Sequence, residues 1–147
     1  MGQIKVTPLV HNIVLVAMLF LNTTCNAREI KVCTQDEATQ AETEASKLDN
    51  WKDIYSSFKR FGHCDDGAIS EGYSASIGRM LAYKWNEATV LYKLTVKDKD
   101  FEKFVLKHID DTVPIQEINM IAVNAQTRCP NYARELCTKI KKVAILE

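Results

Sequence analysis

Glycine and proline are scarce in this chain of 147 residues, which contains five glycines and three prolines. A β-sandwich or β-barrel needs a turn every ~8 to 12 residues, and these two residue types supply many of the turns. An excess of charge of one sign is also lacking, because 19 Lys and Arg residues balance 19 Asp and Glu residues. The scarcity of glycine and proline therefore favours helices. The balance of charges argues against a polybasic nucleic-acid binder and against a disordered acidic tail.

Long hydrophobic runs are lacking except near the amino terminus, where residues 13–21 form an uninterrupted apolar stretch. A helix of this length spans about 14 Å, half of a hydrocarbon core of about 30 Å, so it is too short for a stable membrane span. Small residues follow at Cys25 and Ala27, the positions that a signal peptidase reads. We therefore predict a signal peptide over residues 1–27, cleaved after Ala27, and a periplasmic location for the mature chain.

Two other interpretations of this amino-terminal segment are a lipidated Cys25 and a buried core helix. Asn22, Thr23 and Thr24 disfavour the first, because a lipidation site prefers an apolar residue three positions before the cysteine and small residues between them. The same polar residues end the apolar run and disfavour the second. Residues 28–147 are then the only domain, a length that suits one hydrophobic core.

Four cysteines remain after the predicted cleavage, namely Cys33, Cys64, Cys129 and Cys137. An even number in an exported domain predicts two disulfides, with four free buried thiols as the alternative. Pro130 suits the first turn of a helix, which would place Cys129 and Cys137 about 12 Å apart, beyond the ~7 Å limit for a disulfide. We therefore expect Cys33 and Cys64 each to bond to one of the two carboxy-terminal cysteines.

Apolar residues recur at three- and four-residue spacing in several segments, which predicts amphipathic helices. These helices cover residues 47–61, a segment from the 65–67 loop to about Trp85, a short part of 86–97, residues 101–109, residues 114–127, and a segment after Pro130. Thr34 and Ser46 each precede an acidic residue by three positions, the spacing of a capping box. The predicted fold is all-α, a compact bundle of about five helices stapled by two disulfides.

Gly72 and Gly78 lie within one of these predicted helices, where each costs roughly 1 kcal/mol relative to alanine. Close packing of a second helix is one reason to keep them, and exposure of the backbone to a partner is the other.

The strongest candidate for chemistry is the sequence His63-Cys64-Asp65-Asp66, which places a thiol beside an imidazole at the start of a helix. A hydrolase that uses Cys64 is one interpretation, but a disulfide at Cys64 is favoured over it. A metal site of His63, Asp65 and Asp66 lacks further ligands at a suitable spacing. We therefore expect no catalytic residue, no metal and no cofactor. His108 falls on an apolar stripe and is interpreted as a buried packing residue with a hydrogen bond.

Three segments carry a resemblance to a known family. They are Tyr55 to Arg60 (YSSFKR) leading into Cys64, the segment CDDGAISEGYS from Cys64 to Ser74, and the element from Cys129-Pro130 to Cys137. Together with the export signal, they resemble small periplasmic immunity proteins of the Tai-type group. These proteins protect bacteria against peptidoglycan amidases delivered by type VI secretion.

The resemblance implies an all-α binding protein, often a homodimer, that occludes the active-site groove of its effector, usually through a loop. The expected partner is a secreted effector, a peptidoglycan amidase or a similar hydrolase, and not a nucleic acid. On this resemblance the partner-binding residues are His63, Asp65, Asp66 and Glu71. The alternative function is a small periplasmic chaperone of the acid-stress type, or another non-enzymatic binding protein. A neighbouring gene for a secreted hydrolase would favour immunity.

Overall fold

Helix α1 (Gln35–Ala45) begins at the first predicted capping box in the computed structural model, which describes residues 1–2 and 31–146. The Thr34 hydroxyl accepts a hydrogen bond from the Glu37 amide, and the Glu37 carboxylate accepts one from the Thr34 amide at 3.1 Å. This prediction is therefore confirmed. The predicted signal peptide lies outside the described residues, apart from the first two.

Residues 31–147 form one compact unit. Its described part contains no strand and seven α-helices: α1, α2 (Trp51–Phe61), α3 (Gly67–Tyr83), α4 (Ala88–Lys97), α5 (Lys99–Lys107), α6 (Ile115–Thr127) and α7 (Arg134–Ala144). Short 3-10 turns occupy Gly62–Cys64, Trp85–Glu87 and Asn131–Ala133. The all-α prediction is confirmed, but the number of helices exceeds five. Helix α1 has only two buried residues, Ala41 and Ala45, so apolar spacing does not reveal it.

The second predicted capping box is wrong as a helix start. Helix α1 continues to Ala45 and Ser46 adopts helical dihedrals as its carboxy-terminal cap, so Ser46 cannot also begin the next helix. Asn50 caps α2 instead, because its side-chain oxygen accepts a hydrogen bond from the Asp53 amide at 3.0 Å. Helix α2 therefore starts about four residues later than its apolar stripe suggests.

Helix α3 lies at the centre of the unit and packs against α1 on one side and α6 on the other. A Cβ atom added at Gly72 would lie 2.9 Å from the Cβ of Ala45, and one added at Gly78 would lie 2.8 Å from a methyl carbon of Val113. Both glycines therefore permit close approach of neighbouring segments. Of the two interpretations of these glycines, close packing is the one that the structure favours.

The core between the helices is apolar and contains a group of contacting aromatic rings on α2, α3 and α5. Its members are Tyr55, Phe58, Tyr73, Phe101 and Phe104. Asp98 caps α5 by accepting hydrogen bonds from the Asp100 and Phe101 amides. No helix in the described part of the chain is long and apolar enough to cross a membrane.

All four predicted cysteines form disulfides, but the predicted pairing is wrong. Cys33 bonds to Cys64 and Cys129 bonds to Cys137, with Cα separations of 5.0 and 6.1 Å. The error lies at Pro130, which has an extended backbone (φ −63°, ψ 140°) and is followed by the 3-10 turn Asn131–Ala133 instead of an α-helix. Helix α7 begins only at Arg134, so the chain turns back between the two cysteines and brings their sulfurs together.

Candidate functional site

The connection between α2 and α3 carries most of the residues predicted to bind a partner. We call Gly62 to Gly67 the 62–67 loop. It begins with the 3-10 turn Gly62–Cys64, and Asp66 then caps α3. Gly67 has a φ of +51°, in the left-handed region where a side chain is disfavoured. The glycine at this position therefore lets the chain turn sharply from the loop into α3.

A disulfide fixes the middle of the 62–67 loop. Cys64 is buried, and its sulfur is bonded to that of Cys33, just before α1. The Cys64 sulfur is therefore not a free thiol in this structure, in agreement with the expectation of a disulfide over a nucleophile.

His63 contacts the amino-terminal end of α1. Its Nε2 atom lies 3.2 Å from a carboxylate oxygen of Glu37, close enough for an ion pair but without the alignment of a hydrogen bond. The hydrogen bond from Lys31 is the main reason that the pKa of Glu37 falls to about 2, with the Thr34 amide and His63 adding to the effect. His63 is thus mostly enclosed, with 15% of its side chain exposed.

Asp65 points inward and is held by two basic residues at the end of α5. Its carboxylate lies 2.7 Å from Lys107 Nζ and 3.0 Å from His108 Nε2, and only 9% of its side chain is exposed. Burial raises the pKa of Asp65, but the hydrogen bonds from His108 and Lys107 outweigh burial and lower this pKa to about 2. In this arrangement Asp65 anchors the loop to α5.

His108 is fully buried and confirms the interpretation of a packing residue with a hydrogen bond. Its Nδ1 lies 2.7 Å from the carbonyl oxygen of Phe104, and its Nε2 also faces the hydroxyl of Ser70 at 3.4 Å. Both ring nitrogens face an oxygen atom, Nδ1 that of the Phe104 carbonyl and Nε2 that of the Asp65 carboxylate. Because Asp65 and His108 are 43 residues apart in the chain, no local pattern in the sequence indicates their contact.

Asp66 and Glu71 are the two predicted residues that are exposed to solvent. The Asp66 carboxylate accepts a hydrogen bond from the Gly67 amide at 2.8 Å. Glu71 lies in the second turn of α3. The structure therefore divides the predicted set, with two residues in internal contacts and two acidic residues on the surface.

A surface groove of about 450 Å³ lies beside the disulfide and the loop. It is lined by Cys33, Thr34, Gln35, Ala38, Ile69 and the loop residues from His63 to Gly67. A second groove of about 470 Å³ lies beside the other disulfide, where the lining includes the basic residues Arg134 and Lys141. The sequence does not predict this second groove, because its residues come together only when Cys129 and Cys137 pair.

Three or more His, Cys, Asp or Glu side chains with closely spaced ligand atoms occur at one place in the described part of the chain, where two of them are joined by the Cys33–Cys64 disulfide. The side chains of Cys33, His63 and Cys64 have ligand atoms that all lie within 4.8 Å of one another. The metal site considered from the sequence, with Asp65 and Asp66, has a different composition. Asp65 is engaged by α5 instead of pointing toward His63.

The chain was compared with protein-family models, with curated proteins and with solved structures, and none of the three comparisons gives a match.

Proposed function

We propose that this protein is a periplasmic immunity protein that binds and blocks a secreted peptidoglycan amidase. The observation that carries the proposal is the way in which the 62–67 loop is held. Cys64 joins it covalently to the segment before α1, and Asp65 joins it to α5 through Lys107 and His108. A loop that is already fixed loses little conformational entropy when it inserts into an enzyme groove, which favours tight binding.

The exposed groups of this loop region give the interaction its chemical character. Asp66 lines the groove beside the loop, and Glu71 is exposed in the second turn of α3, so two carboxylates lie on the surface of this region. Carboxylates form strong charge-assisted hydrogen bonds with arginine and lysine side chains. The effector surface that this region fits is therefore basic, and it surrounds the amidase active site.

The compartment is consistent with this target. Two disulfides indicate an oxidising environment. In the proposal that environment is the periplasm, where peptidoglycan is exposed, and the signal peptide of residues 1–27 directs export. The same proposal includes a homodimer. Sedimentation equilibrium of the mature protein tests it by measuring the molecular mass in solution.

Protection of cells tests the function. The full chain is co-expressed with peptidoglycan amidases that are targeted to the periplasm, starting with any hydrolase encoded beside this gene. We expect survival with the wild-type protein and lysis without it, together with recovery of a complex from the periplasm. Lysis with every peptidoglycan hydrolase tested would contradict the immunity function.

A pair of isosteric substitutions tests the binding surface. In Asp66→Asn/Glu71→Gln both carboxylates lose their charge, while Asn still caps a helix as well as Asp does. The control is Glu42→Gln, which removes one exposed acidic charge from α1. We expect a melting temperature equal to that of the wild type for both variants and a loss of affinity of tenfold or more for the double variant alone. Wild-type affinity in the double variant would move the interface away from this loop.

A chaperone of the acid-stress type is the second candidate, and one observation favours it. Helix α6 exposes three apolar side chains, Ile115, Met120 and Val123, with relative exposures of 57%, 39% and 58%. The test is suppression of aggregation of an acid-unfolded client protein at low pH. Substitution of Met120 and Val123 by serine should abolish the suppression if this face binds clients, and an inactive wild-type protein would exclude the function.

A further inference from the structure

Cys33, Cys64 and His63 form a cluster with the composition of a metal site, although the two sulfurs are bonded to each other in this structure. Their ligand atoms lie within 4.8 Å of one another. The two cysteines come from segments on either side of α1 and α2, so that the cluster exists only in the folded chain. The immunity function does not use these three groups as metal ligands.

We propose that reduction of the Cys33–Cys64 disulfide converts this cluster into a site for a divalent zinc ion. The protein then has two cross-linked forms, one with a disulfide and one with a metal ion at the same place. This inference does not depend on the identity of the effector.

The donor set selects the metal. Two thiolates and one imidazole match zinc, which binds sulfur at ~2.3 Å and imidazole nitrogen at ~2.0–2.1 Å in tetrahedral sites. Sulfur ligands on a tetrahedral zinc ion lie about 3.8 Å apart, given those bond lengths. The Cα atoms of Cys33 and Cys64 are 5.0 Å apart, so side-chain rotation accommodates this separation once the disulfide is open. Three protein ligands leave the fourth position to water.

Glu37 supports a cation at this place. Its carboxylate lies 3.2 Å from Nε2 of His63 and carries a negative charge next to the cluster. Carboxylates beside a ligating histidine orient the ring and increase its basicity. We assign Glu37 a positioning role and not a ligand role, because the same carboxylate also accepts hydrogen bonds from Thr34 and Lys31.

The groove beside the 62–67 loop gives access to the sulfurs. Both Cys33 and Cys64 line this groove of about 450 Å³, and Cys33 is partly exposed. A small reductant and a hydrated ion therefore have a route to the cluster, which a plausible metal site requires.

The conversion proceeds in two balanced steps. A dithiol reductant transfers two electrons and two protons to the disulfide, so that the S–S bond breaks, two protein thiols form, and the reductant becomes a cyclic disulfide. A trialkylphosphine does the same with one water molecule and becomes the phosphine oxide. Zinc then displaces the two thiol protons and forms two Zn–S bonds, and the released protons pass to solvent.

The second disulfide is an internal control. Reduction of Cys129–Cys137 also yields two thiols, but in the described part of the chain no His, Asp or Glu ligand atom joins these two sulfurs in a cluster. Metal binding at that pair is therefore expected to be weak.

Titration of the reduced mature protein with Co²⁺ tests the proposal, because cobalt bound to thiolates in a tetrahedral site absorbs strongly in the near ultraviolet and the visible range. The protein is reduced with a phosphine, and circular dichroism records its helical content. We expect one Co²⁺ per chain, displacement of Co²⁺ by Zn²⁺, and a higher melting temperature with Zn²⁺ than without it. The oxidised protein should show no such absorption.

Four variants locate the site. His63→Ala should weaken Co²⁺ binding by tenfold or more, and Cys33→Ser/Cys64→Ser should abolish the thiolate absorption. Glu37→Gln, which retains the capping box, should weaken binding by a smaller factor. Cys129→Ser/Cys137→Ser should keep one Co²⁺ per chain.

Two results would overturn the inference. One is equal binding by the wild type and His63→Ala, which would assign the metal to the thiols alone. The other is the loss of helical content on reduction without recovery when Zn²⁺ is added, which would show that the cluster cannot hold a metal.

Discussion

The Cys33–Cys64 disulfide joins segments that lie 31 residues apart, whereas the Cys129–Cys137 disulfide closes a span of eight residues between consecutive helices. The first bond links the start of α1 to the α2–α3 connection. The second closes the turn from α6 into α7, two helices that already pack against each other extensively. The first bond therefore adds a tertiary constraint, and the second reinforces a local one.

The surroundings of the two bonds differ as well. Each lies beside a groove of similar volume, about 450 Å³ for the first and about 470 Å³ for the second. Near the first are His63, Asp65 and, through Asp65, the buried His108. Among the described residues, the lining of the second groove includes the basic residues Arg134 and Lys141 and contains no histidine, aspartate or glutamate. The largely buried ionisable side chains His63, Asp65 and His108 thus lie near the Cys33–Cys64 disulfide, which closes the longer span of the chain.

Removing each disulfide in turn should give the largest difference between the two regions. In the chain-entropy model, closing spans of 31 and eight residues contributes about 3.7 and about 2.5 kcal/mol, respectively. We therefore expect Cys33→Ser/Cys64→Ser to lower the free energy of unfolding by about 1 kcal/mol more than Cys129→Ser/Cys137→Ser does. Urea denaturation of both variants measures this, and the reverse order would show that the second bond is the tertiary constraint.

Two neighbouring aspartates sharpen the contrast within the 62–67 loop. Asp65→Ala leaves the buried His108 without its charged acceptor, which should cost about 2 to 3 kcal/mol. Asp66→Ala removes only a helix cap and should cost about 1 kcal/mol. Thermal and chemical unfolding of the two single variants compares them directly. Equal losses would mean that Asp65 acts as no more than a capping residue.

Alanine at the two glycines of α3 compares its packing against α1 and against the start of α6. At Gly72 the added methyl group meets the backbone nitrogen of Ser46 at 3.1 Å, which cannot move independently of the chain. At Gly78 it meets the side chains of Val113 and Glu117, of which the second is flexible. Overpacking costs about 1 to 3 kcal/mol and improved helix propensity returns about 1 kcal/mol.

We therefore expect Gly72→Ala to lower stability by about 1 to 2 kcal/mol and Gly78→Ala by a smaller amount. Melting temperatures of the two variants are the readout. A Gly78→Ala variant that is less stable than Gly72→Ala would place the tighter interface at α6.

The smallest expected effect is the pH dependence of an ion-pair group between α5 and α7. Burial raises the pKa of Glu102, but hydrogen bonds from Lys139 and Lys99 outweigh it and lower this pKa below its ordinary value near 4.5. A lowered carboxyl pKa adds stability that is fully present above pH 4.5 and is lost as the pH falls through the lowered pKa.

The variant for this test is Glu102→Gln. We expect it to be less stable than the wild type by up to about 1 kcal/mol at neutral pH, because solvent reaches 64% of the Lys99 side chain and 40% of the Lys139 side chain and weakens both ion pairs. The difference should shrink when the pH is lowered from 6 to 3. Melting curves of the two proteins across this range provide the measurement, and a constant difference would contradict the assignment.

Local features of this fold could be predicted from the sequence because their physical causes are local. The capping box at Thr34 and the apolar stripe of α5 each depend on residues within one or two helical turns. The involvement of four cysteines in disulfides also follows, since it needs only their number and an oxidising compartment.

Features that depend on the path of the backbone through a turn, or on contacts between residues distant in the sequence, could not be predicted. The pairing of Cys129 with Cys137 is decided by the extended backbone at Pro130, and proline is compatible with both that conformation and a helix start. The contacts of the candidate site could not be predicted either. Asp65 and His63 are neighbours of Cys64 in the sequence, but Asp65 contacts the end of α5 and His63 contacts the start of α1. No local sequence pattern indicates either of these contacts.

The chain has two tryptophans, one in each half of the sequence, so that the unfolding of each region can be followed by tryptophan fluorescence. Trp51 begins α2 and is buried, while the indole nitrogen of Trp85 donates a hydrogen bond to the carbonyl oxygen of Arg128 at 2.9 Å. Arg128 directly precedes Cys129, so the emission of Trp85 depends on the geometry next to the second disulfide. In Trp85→Phe the remaining emission comes from α2. Fluorescence of this variant and of Trp51→Phe therefore separates the unfolding of the two regions in one chain.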